Sequence, residues 1–235
     1  MSRLGIIIPF ANEEKYIREL LDRICVHLLH EDRIFCILDR VSRDKTRELI
    51  QQYHDSQDER VILIWAPENR CVVDAYFRGY REAYDRGCRW ILEMDGGFSH
   101  LPEEIPQFIA GMEQGYDYVG GSRFMKGGRH DSPISRRLIS WGGSTMARLL
   151  LKAPMTDMTS GFECFSREAM NEILDKKVMS RANFFQTEIR YMMCQHRWME
   201  VPIHYSNEKV TVGRSSIREA IRVLFTLWMQ SWRVK

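Results

Sequence analysis

The sequence predicts an α/β fold, in which a doubly wound, mainly parallel sheet carries helices on both faces. Two observations predict this class. Short apolar runs alternate with helical patterns over the first half of the chain. Acidic, glycine and arginine residues follow the carboxyl ends of these runs. Ligands of open α/β sheets bind at the edge that the carboxyl ends of the strands form. The 235 residues are 44% hydrophobic, so we expect one domain with halves 1–124 and 125–235.

Five short apolar runs in the first half are predicted strands. They cover residues 4–9, 33–38, 61–65, 90–94 and 116–119. The helical patterns between them cover residues 17–28, 44–53, 74–85 and 103–114. Ile17, Leu20 and Ile24 keep the spacing of one helix face. We expect Asn12 to cap this first helix and Pro102 to open the fourth.

The second half of the chain follows a less regular pattern. Residues 125–137 predict a loop rich in Gly, Arg and Ser. Helices are predicted over residues 138–151, 184–196 and 217–232, and a strand over residues 199–205. The last helix is amphipathic and rich in tryptophan.

Composition excludes several classes of protein. The net charge of +2 is too balanced to indicate a nucleic-acid partner. The six cysteines contain no CxxC pair, which is typical of reduced thiols in a cytosolic protein and not of a zinc site. The N-terminal pattern is unlike a signal peptide, and no stretch reaches the ~20 apolar residues that span a bilayer. We therefore expect a cytoplasmic protein that is soluble or peripheral to a membrane.

Chemically useful residues follow four of the predicted strands. They are Pro9 to Glu13, then Asp39, then Asp95-Gly96-Gly97, then Gly120 to Arg123. Carboxylates accept hydrogen bonds from a ribose or hold a divalent cation, glycines admit a pyrophosphate, and arginine binds phosphate oxygens. Asp39 and Asp44 are equally well explained as helix caps. The coincidence at the ends of four of the five predicted strands indicates a ligand site.

These residues form an ordered set of motifs. The set reads PxxNE from Pro9, DxxSxDxT from Asp39, MDxxxSHxPE from Met94 and GSR from Gly121. It resembles the family-two glycosyltransferases with the GT-A fold. The later segments TSGF, FQTE and VPI are similar to those of dolichyl- or polyprenyl-phosphate mannose (or glucose) synthases. The resemblance covers residues 4–216.

The resemblance implies roles for particular residues. The catalytic residues would be Asp95 and Arg123, and Asp95 would also hold Mg²⁺ or Mn²⁺. The donor-binding residues would be Pro9, Phe10, Ala11, Glu13, Leu38, Asp39, Arg40, Asp95, Gly96, Gly97, Arg123 and Lys209. The acceptor-side residues would be Arg129, Ser160, Gln186 and Arg214.

Three positions depart from the family pattern. Ala11 replaces a tyrosine, Arg40 replaces an aspartate that touches the nucleoside, and Gly97 replaces the second aspartate of the DxD element. One carboxylate of the metal site is therefore missing. Because Mg²⁺ commonly binds through one or two carboxylates plus substrate phosphates, we favour a cation held by Asp95. The alternative is that arginine and lysine side chains supply part of the cation's charge.

The implied activity is an inverting hexosyltransferase that uses a nucleoside diphosphate sugar. The expected acceptor is a lipid-linked polyprenyl phosphate, whose oxyanion needs no protein base. Two alternatives remain: transfer to a sugar hydroxyl, which requires a base, or an inactive nucleotide-binding relative. Arg136 and Arg137 precede an apolar helix that carries Trp141, a pattern typical of an interfacial helix. We therefore also expect a membrane surface or a membrane-embedded subunit as partner, at the cytoplasmic face.

Overall fold

A computed structural model describes residues 2–206 and 213–233 of the chain. Its centre is a seven-stranded sheet with the strand order β3-β2-β1-β4-β7-β5-β8. The strands are β1 (Leu4–Phe10), β2 (Arg33–Leu38), β3 (Val61–Trp65), β4 (Trp90–Glu93), β5 (Tyr118–Ser122), β7 (Glu163–Ser166) and β8 (Trp198–Pro202). Only β7 runs antiparallel to its neighbours β4 and β5. A small parallel pair joins β6 (Arg129–His130) to β9 (His204–Tyr205).

Helices cover both faces of this sheet. They are α1 (Ile17–Cys25), α2 (Thr46–Ser56), α3 (Val72–Asp85), α4 (Ile105–Glu113), α5 (Ile134–Leu151), α6 (Arg167–Asp175), α7 (Phe185–Met193) and α8 (Arg214–Arg233). Strand residues alternate between two buried cores, as the pleat requires. Ile6 and Ile8 pack with α1, α2 and α4, whereas Ile7 packs with α3, α6 and α7. The predicted doubly wound class is confirmed.

The predicted cap at Asn12 is wrong. Helix α1 begins at Ile17 and no side chain caps it. Asn12 instead has a positive φ of 59°. Its side-chain amide donates to the carbonyl of Val41 at 3.2 Å, and its side-chain oxygen accepts from the N–H of Arg43 at 2.9 Å. Asn12 therefore joins the loop after β1 to the loop after β2. Its positive φ is accommodated because asparagine tolerates the left-handed conformation better than most residues.

The second half contains elements that the sequence did not predict. Strand β7 and helix α6 lie in a region to which no element was assigned, and the predicted strand 199–205 divides into β8 and β9 at Ile203. The predicted loop 125–137 contains β6 and the first turn of α5. Strand β7 has only four residues and inserts between β4 and β5. Because it is antiparallel, its first residue lies at the edge where β4 and β5 end.

Candidate active site

A cavity of about 410 Å³ opens at the carboxyl edge of the sheet. Its polar end carries Asp95, which follows β4, and Arg123, which follows β5. Ser160 and Gly161, just before β7, form another part of the wall. Its apolar end lies between α5 and α8 and carries Ile139, Met146, Ile217, Ile221 and Leu224. The cavity thus joins a charged region to an apolar cleft.

Asp95 is held on both its side chain and its backbone. The hydroxyl of Tyr76 donates to Oδ1 of Asp95 at 2.7 Å. The backbone N–H of Asp95 donates to Nδ1 of His100 at 3.1 Å. Burial raises the pKa of Tyr76 well above its usual value, and burial lowers the pKa of His100 to about 4. Tyr76 therefore stays a donor at neutral pH, and His100 stays uncharged with its proton on Nε2.

The glycines after Asp95 pack against the loop that follows β1. A β-carbon added at Gly96 would lie 2.9 Å from the Phe10 ring. One added at Gly97 would lie 2.8 Å from Oε2 of Glu13. Gly97 also has a φ of +74°, which side chains rarely adopt. The departure at position 97 has a structural counterpart: a side chain there would require the Glu13 carboxylate to move and would have to adopt this φ.

The residues around Asp95 suit a hard divalent cation. Asp95 offers the cavity a carboxylate, a ligand that Mg²⁺ and Mn²⁺ prefer. Within residues 2–206 and 213–233, no group of three or more histidine, cysteine or acidic side chains forms a complete metal site. A cation here would need substrate oxygens to complete its coordination, as Mg²⁺ commonly does with phosphates.

Arg123 is fixed in the wall of the cavity. Its Nε and Nη2 donate to the two carboxylate oxygens of Asp157 at 2.7 and 2.9 Å, and Nη2 also donates to Thr159 at 2.7 Å. Arg123 is 6% exposed, so it is not an ordinary surface residue. Burial would raise the pKa of Asp157, but the charges of Arg123 and Arg190 hold it well below its usual range. This ion pair sets the direction of the guanidinium.

A second buried arginine supports the same wall. Arg190 on α7 has no exposed surface and donates from Nε to Oε1 of Glu163 at 2.9 Å. It also donates to the carbonyls of Ser160 and Gly121 at 3.2 and 3.0 Å. Arg190 therefore links the ends of β5 and β7. The sequence analysis missed it, since a lone arginine in a helix is usually taken as a surface residue.

Glu93 lies opposite Glu163 on neighbouring strands, and both are fully buried. Burial and the nearby Glu163 charge raise the pKa of Glu93 well above its usual value. A β-carbon at Gly161 would lie 2.7 Å from Nε2 of Gln186 and 3.7 Å from Oε1 of Glu93. The glycine of the TSGF segment therefore allows close contact between these groups.

The structure places the predicted acceptor residues in two different settings. Ser160 and Gln186 line the cavity. Arg129 is 67% exposed in its side chain, pairs with Asp131 at 3.5 Å, and lies outside the cavity wall, as does Arg214 at the start of α8. Lys209 lies outside the described residues.

Two residues of α5 that were not among the predicted site residues, Arg136 and Ser140, line the cavity. Their spacing of four residues on a helix was the available signal.

Of the predicted donor residues, Asp95 and Arg123 line the cavity, whereas Gly96, Gly97 and the residues at the ends of β1 and β2 do not. Phe10 and Leu38 are paired across β1 and β2 and are buried, whereas Ala11 and Arg40 are exposed. A β-carbon added at Gly96 would lie 3.3 Å from the carbonyl oxygen of Pro9. The ends of β1, β2 and β4 are thus brought together, as the strand pattern predicted.

Both aspartates that follow β2 have structural partners. Asp39 accepts from the N–H of Val41 at 2.8 Å. Asp44 accepts from the N–H groups of Glu14 and Thr46 at 3.0 and 3.1 Å. Asp44 therefore fastens two loops together as well as serving the first turn of α2.

Helices α5 and α8 expose large apolar side chains, some of which also line the apolar end of the cavity. These are Ile134, Leu138, Ile139, Trp141, Met146 and Leu149 on α5, and Ile217, Ile221, Phe225, Met229 and Trp232 on α8. Across the described part of the chain, no helix has the length and hydrophobicity needed to span a bilayer.

Several known proteins are similar to this chain in sequence and in fold. The model of "Glycosyl transferase family 2" matches residues 5–174. Polyprenol monophosphomannose synthase of Mycolicibacterium smegmatis is 28% identical over 94% of this chain and 84% of its own length. Undecaprenyl-phosphate mannosyltransferase of Micrococcus luteus is 28% identical over 96% of this chain and 93% of its own. Dolichol-phosphate mannosyltransferase of Pyrococcus furiosus is 30% identical over 73% of this chain and 48% of its own.

The fold is that of the GT-A glycosyltransferases. Glucosyl-3-phosphoglycerate synthase of Mycobacterium tuberculosis, solved with UDP, superposes with a TM-score of 0.70 over 97% of this chain and 80% of its own, at 13% identity. Other structures of that enzyme contain Mn²⁺ or Mg²⁺ beside UDP. The chain belongs to glycosyl transferase family 2. The predicted fold, the family resemblance and the glycosyltransferase class are confirmed.

Proposed function

We propose that this chain transfers a sugar from a nucleoside diphosphate sugar to the phosphate of a polyprenyl-type lipid. One observation carries the proposal: a single cavity joins Asp95, Arg123 and Arg136 to the apolar cleft between α5 and α8. A polyprenyl phosphate has the same division, with an anionic head and an apolar chain. The names of the mycobacterial and Micrococcus relatives support this acceptor class.

The donor would bind at the ends of β1, β2 and β4. The nucleoside would lie against the loops that begin at Pro9 and Asp39, and its diphosphate would lie beside Asp95. A Mg²⁺ or Mn²⁺ ion at Asp95 would neutralise the charge that develops on the leaving diphosphate. Tyr76 holds the Asp95 carboxylate and His100 holds the backbone N–H of Asp95, and positioning of this kind lowers the entropic part of the barrier.

The acceptor phosphate would lie between Arg123, Arg136 and Ser140, which line the cavity together. Its oxyanion attacks the anomeric carbon of the sugar, a new carbon–oxygen bond forms, and the bond to the diphosphate breaks. Attack from the face opposite the leaving group inverts the anomeric centre. The nucleoside diphosphate leaves as an anion, so no proton must be removed.

The cavity is poorly suited to a hydroxyl acceptor. Such an acceptor requires a general base. Among the described residues that line the cavity, Asp95 is the only carboxylate, and it accepts a hydrogen bond from Tyr76. A phosphate acceptor avoids this requirement.

The exposed apolar faces of α5 and α8 favour a place at a membrane surface, where the lipid acceptor resides. Trp141 and Trp232 are 57% and 67% exposed on these two helices. Apolar and tryptophan side chains on one helix face are typical of interfacial binding. We propose that the protein works at the cytoplasmic face of a membrane, and no helix of the described residues is suited to span it.

A two-way substrate screen tests the function. The purified chain would be incubated with a panel of UDP- and GDP-sugars, with polyprenyl phosphate, the corresponding polyprenol, or no lipid, and lipid products would be detected by mass spectrometry. We expect a glycosyl-phosphate lipid with one donor and polyprenyl phosphate only. Product with polyprenol at an equal rate would overturn the phosphate acceptor. No turnover of any donor would favour the inactive relative.

A further inference from the structure

Gly97 lies against the carboxylate of Glu13. A β-carbon at position 97 would be 2.8 Å from Oε2 and 3.0 Å from Oε1 of Glu13. Real β-carbons essentially never approach another atom within 3.0 Å. The Glu13 carboxylate therefore occupies the space in which a side chain at position 97 would begin. The Glu13 carboxylate, which follows β1, therefore lies where the missing acidic side chain of the DxD element would begin.

We infer that Glu13 supplies the second carboxylate of the cation site beside Asp95. The inference rests on the proposed function, because it concerns the cation that would hold the donor diphosphate. Glu13 follows β1 and Asp95 follows β4, and these strands are hydrogen-bonded neighbours that run in parallel. Their ends lie at one edge of the sheet, and the Glu13 carboxylate lies beside Gly97, two residues after Asp95. Together they supply two negative charges for a divalent cation.

The backbone around Glu13 is held in place by the loop after β2. The N–H of Glu13 donates to the hydroxyl of Thr46 at 2.8 Å, and Thr46 is fully buried. The N–H of Glu14 donates to Asp44 at 3.0 Å. Asn12, on the other side, is tied to Val41 and Arg43. Residues of the DxxSxDxT segment thus position Glu13, a role separate from contact with the nucleoside.

A side chain at position 97 would require the Glu13 carboxylate to move, because its β-carbon would begin 2.8 Å from Oε2 at the tip of that flexible side chain. Asp is among the side chains that best tolerate a positive φ. Moving the carboxylate from position 13 to position 97 should therefore restore part of the cation affinity that the loss of Glu13 removes.

Mn²⁺ binding followed by electron paramagnetic resonance tests the inference without any turnover. The full chain would be titrated with Mn²⁺ in the presence of UDP and of GDP. We expect Glu13→Gln to weaken Mn²⁺ binding by about tenfold or more, because affinity for hard cations follows the charge of the ligands. Glu14→Gln, at the exposed neighbouring position, is the matched control and should bind Mn²⁺ as the unmodified chain does. Glu13→Ala should also lose affinity, and Glu13→Ala/Gly97→Asp should recover part of it.

A second titration, of nucleotide in a chelator, separates a cation ligand from a nucleotide ligand. A loss of nucleotide affinity in Glu13→Gln that is equal with and without Mn²⁺ would show direct nucleotide contact and overturn the inference. Unchanged Mn²⁺ affinity in Glu13→Gln, with loss in Asp95→Asn, would also overturn it and leave the proposed function intact. A chain that transfers sugar without any divalent cation would remove the cation site but not the transferase. Circular dichroism of each variant would verify that it is folded.

Discussion

The hydroxyl of Tyr76 lies 2.7 Å from Oδ1 of Asp95 and donates a hydrogen bond to it. Tyr76 is on α3, on one face of the sheet, whereas Asp95 lies at the strand edge. The bond therefore connects the packing of a helix to the orientation of the carboxylate that would meet the donor. Ligating carboxylates are commonly held by hydrogen bonds of this kind.

Removing this hydrogen bond should weaken the site without unfolding it. We expect Tyr76→Phe to lower Mn²⁺ affinity or turnover by about 10- to 100-fold, the usual effect of losing a supporting hydrogen bond. Tyr80, one turn along α3, is the control, because its buried hydroxyl has no hydrogen-bond partner among the described residues. Tyr80→Phe should leave turnover unchanged. Equal effects of the two substitutions would mean that packing, and not the hydrogen bond, matters.

Asp95 should be essential for turnover. We expect Asp95→Asn to abolish transfer and the dependence of donor binding on Mg²⁺, because the amide carries no charge to hold the cation. The measurement is donor binding by calorimetry with Mg²⁺ and with a chelator, together with product formation. Unmodified protein that works equally well in Mg²⁺ and in a chelator would contradict this prediction.

Arg123 should tolerate even a conservative change poorly. Lysine keeps the charge but cannot donate from two nitrogens to both oxygens of Asp157 as Arg123 does. We expect Arg123→Lys to lose about tenfold or more in rate, or about 1.4 kcal/mol of transition-state stabilisation. Arg129→Lys, at an exposed arginine outside the cavity wall, should have little effect. Normal kinetics with a lowered melting temperature would indicate that Arg123 is purely structural.

Membrane binding should depend on charge and on apolar contact together. Basic residues near an anionic surface contribute about 1 kcal/mol each. We expect Arg136→Glu/Arg137→Glu to weaken binding to anionic vesicles, and salt to do the same, while the exposed side chains of α5 and α8 retain part of it. Flotation with liposomes is the measurement.

The same charge reversal at Arg86 and Arg89, which lie just before β4 at the opposite edge of the sheet, is the control and should leave flotation unchanged. Unmodified protein that stays in the soluble fraction at low salt would make a soluble acceptor or a membrane-embedded subunit the better explanation.

Glu104 should make stability depend on pH. Burial raises its pKa to about 7, although its Oε1 accepts from the N–H of His204 at 2.7 Å. A raised pKa in the folded state means that the stability due to the neutral form is complete below about pH 4.3 and is lost as the pH rises towards 7. The melting temperature of the unmodified chain should therefore fall over this range relative to Glu104→Gln.

Glu103 provides an internal contrast to Glu104. Its hydrogen bond to Arg23 lowers its pKa, so the stability due to this group is lost as the pH falls. The melting temperature of the unmodified chain should therefore fall relative to that of Glu103→Gln as the pH is lowered. This is the opposite of the trend expected for Glu104. Parallel pH profiles for the two variants would contradict the assignment of opposite environments to these neighbouring residues.

The sequence predicted the part of the fold that follows a regular pattern. Parallel strands that are buried on both faces are continuous apolar runs, and Leu4–Phe10 and Arg33–Leu38 were found for that reason. Strand β7 was missed because its four residues include Glu163 and Ser166, which do not look like a buried strand. Its place is set by partners far along the chain, which local patterns do not contain.

The residues of the candidate site were also predicted only in part. Asp95 and Arg123 follow predicted strands and were identified, and Ser160 and Gln186 were found through the family resemblance. Tyr76 and Arg190 were missed, because their importance comes from burial beside Asp95 and Glu163. A buried arginine is rare unless it is paired, and its partner is 27 residues away. Only the packed structure brings the two together.

The position of β7 between β4 and β5 has a consequence for synthesis on the ribosome. The nascent chain emerges with β1 to β5 first, yet the gap between β4 and β5 is filled only when Glu163–Ser166 has left the exit tunnel. Ribosomes add about 5–20 residues each second, so the two strand edges wait for seconds with unpaired backbone groups. Open edges of this kind attract other chains. The edge of β4 in a nascent chain is therefore open to pairing with other chains until Glu163–Ser166 reaches it.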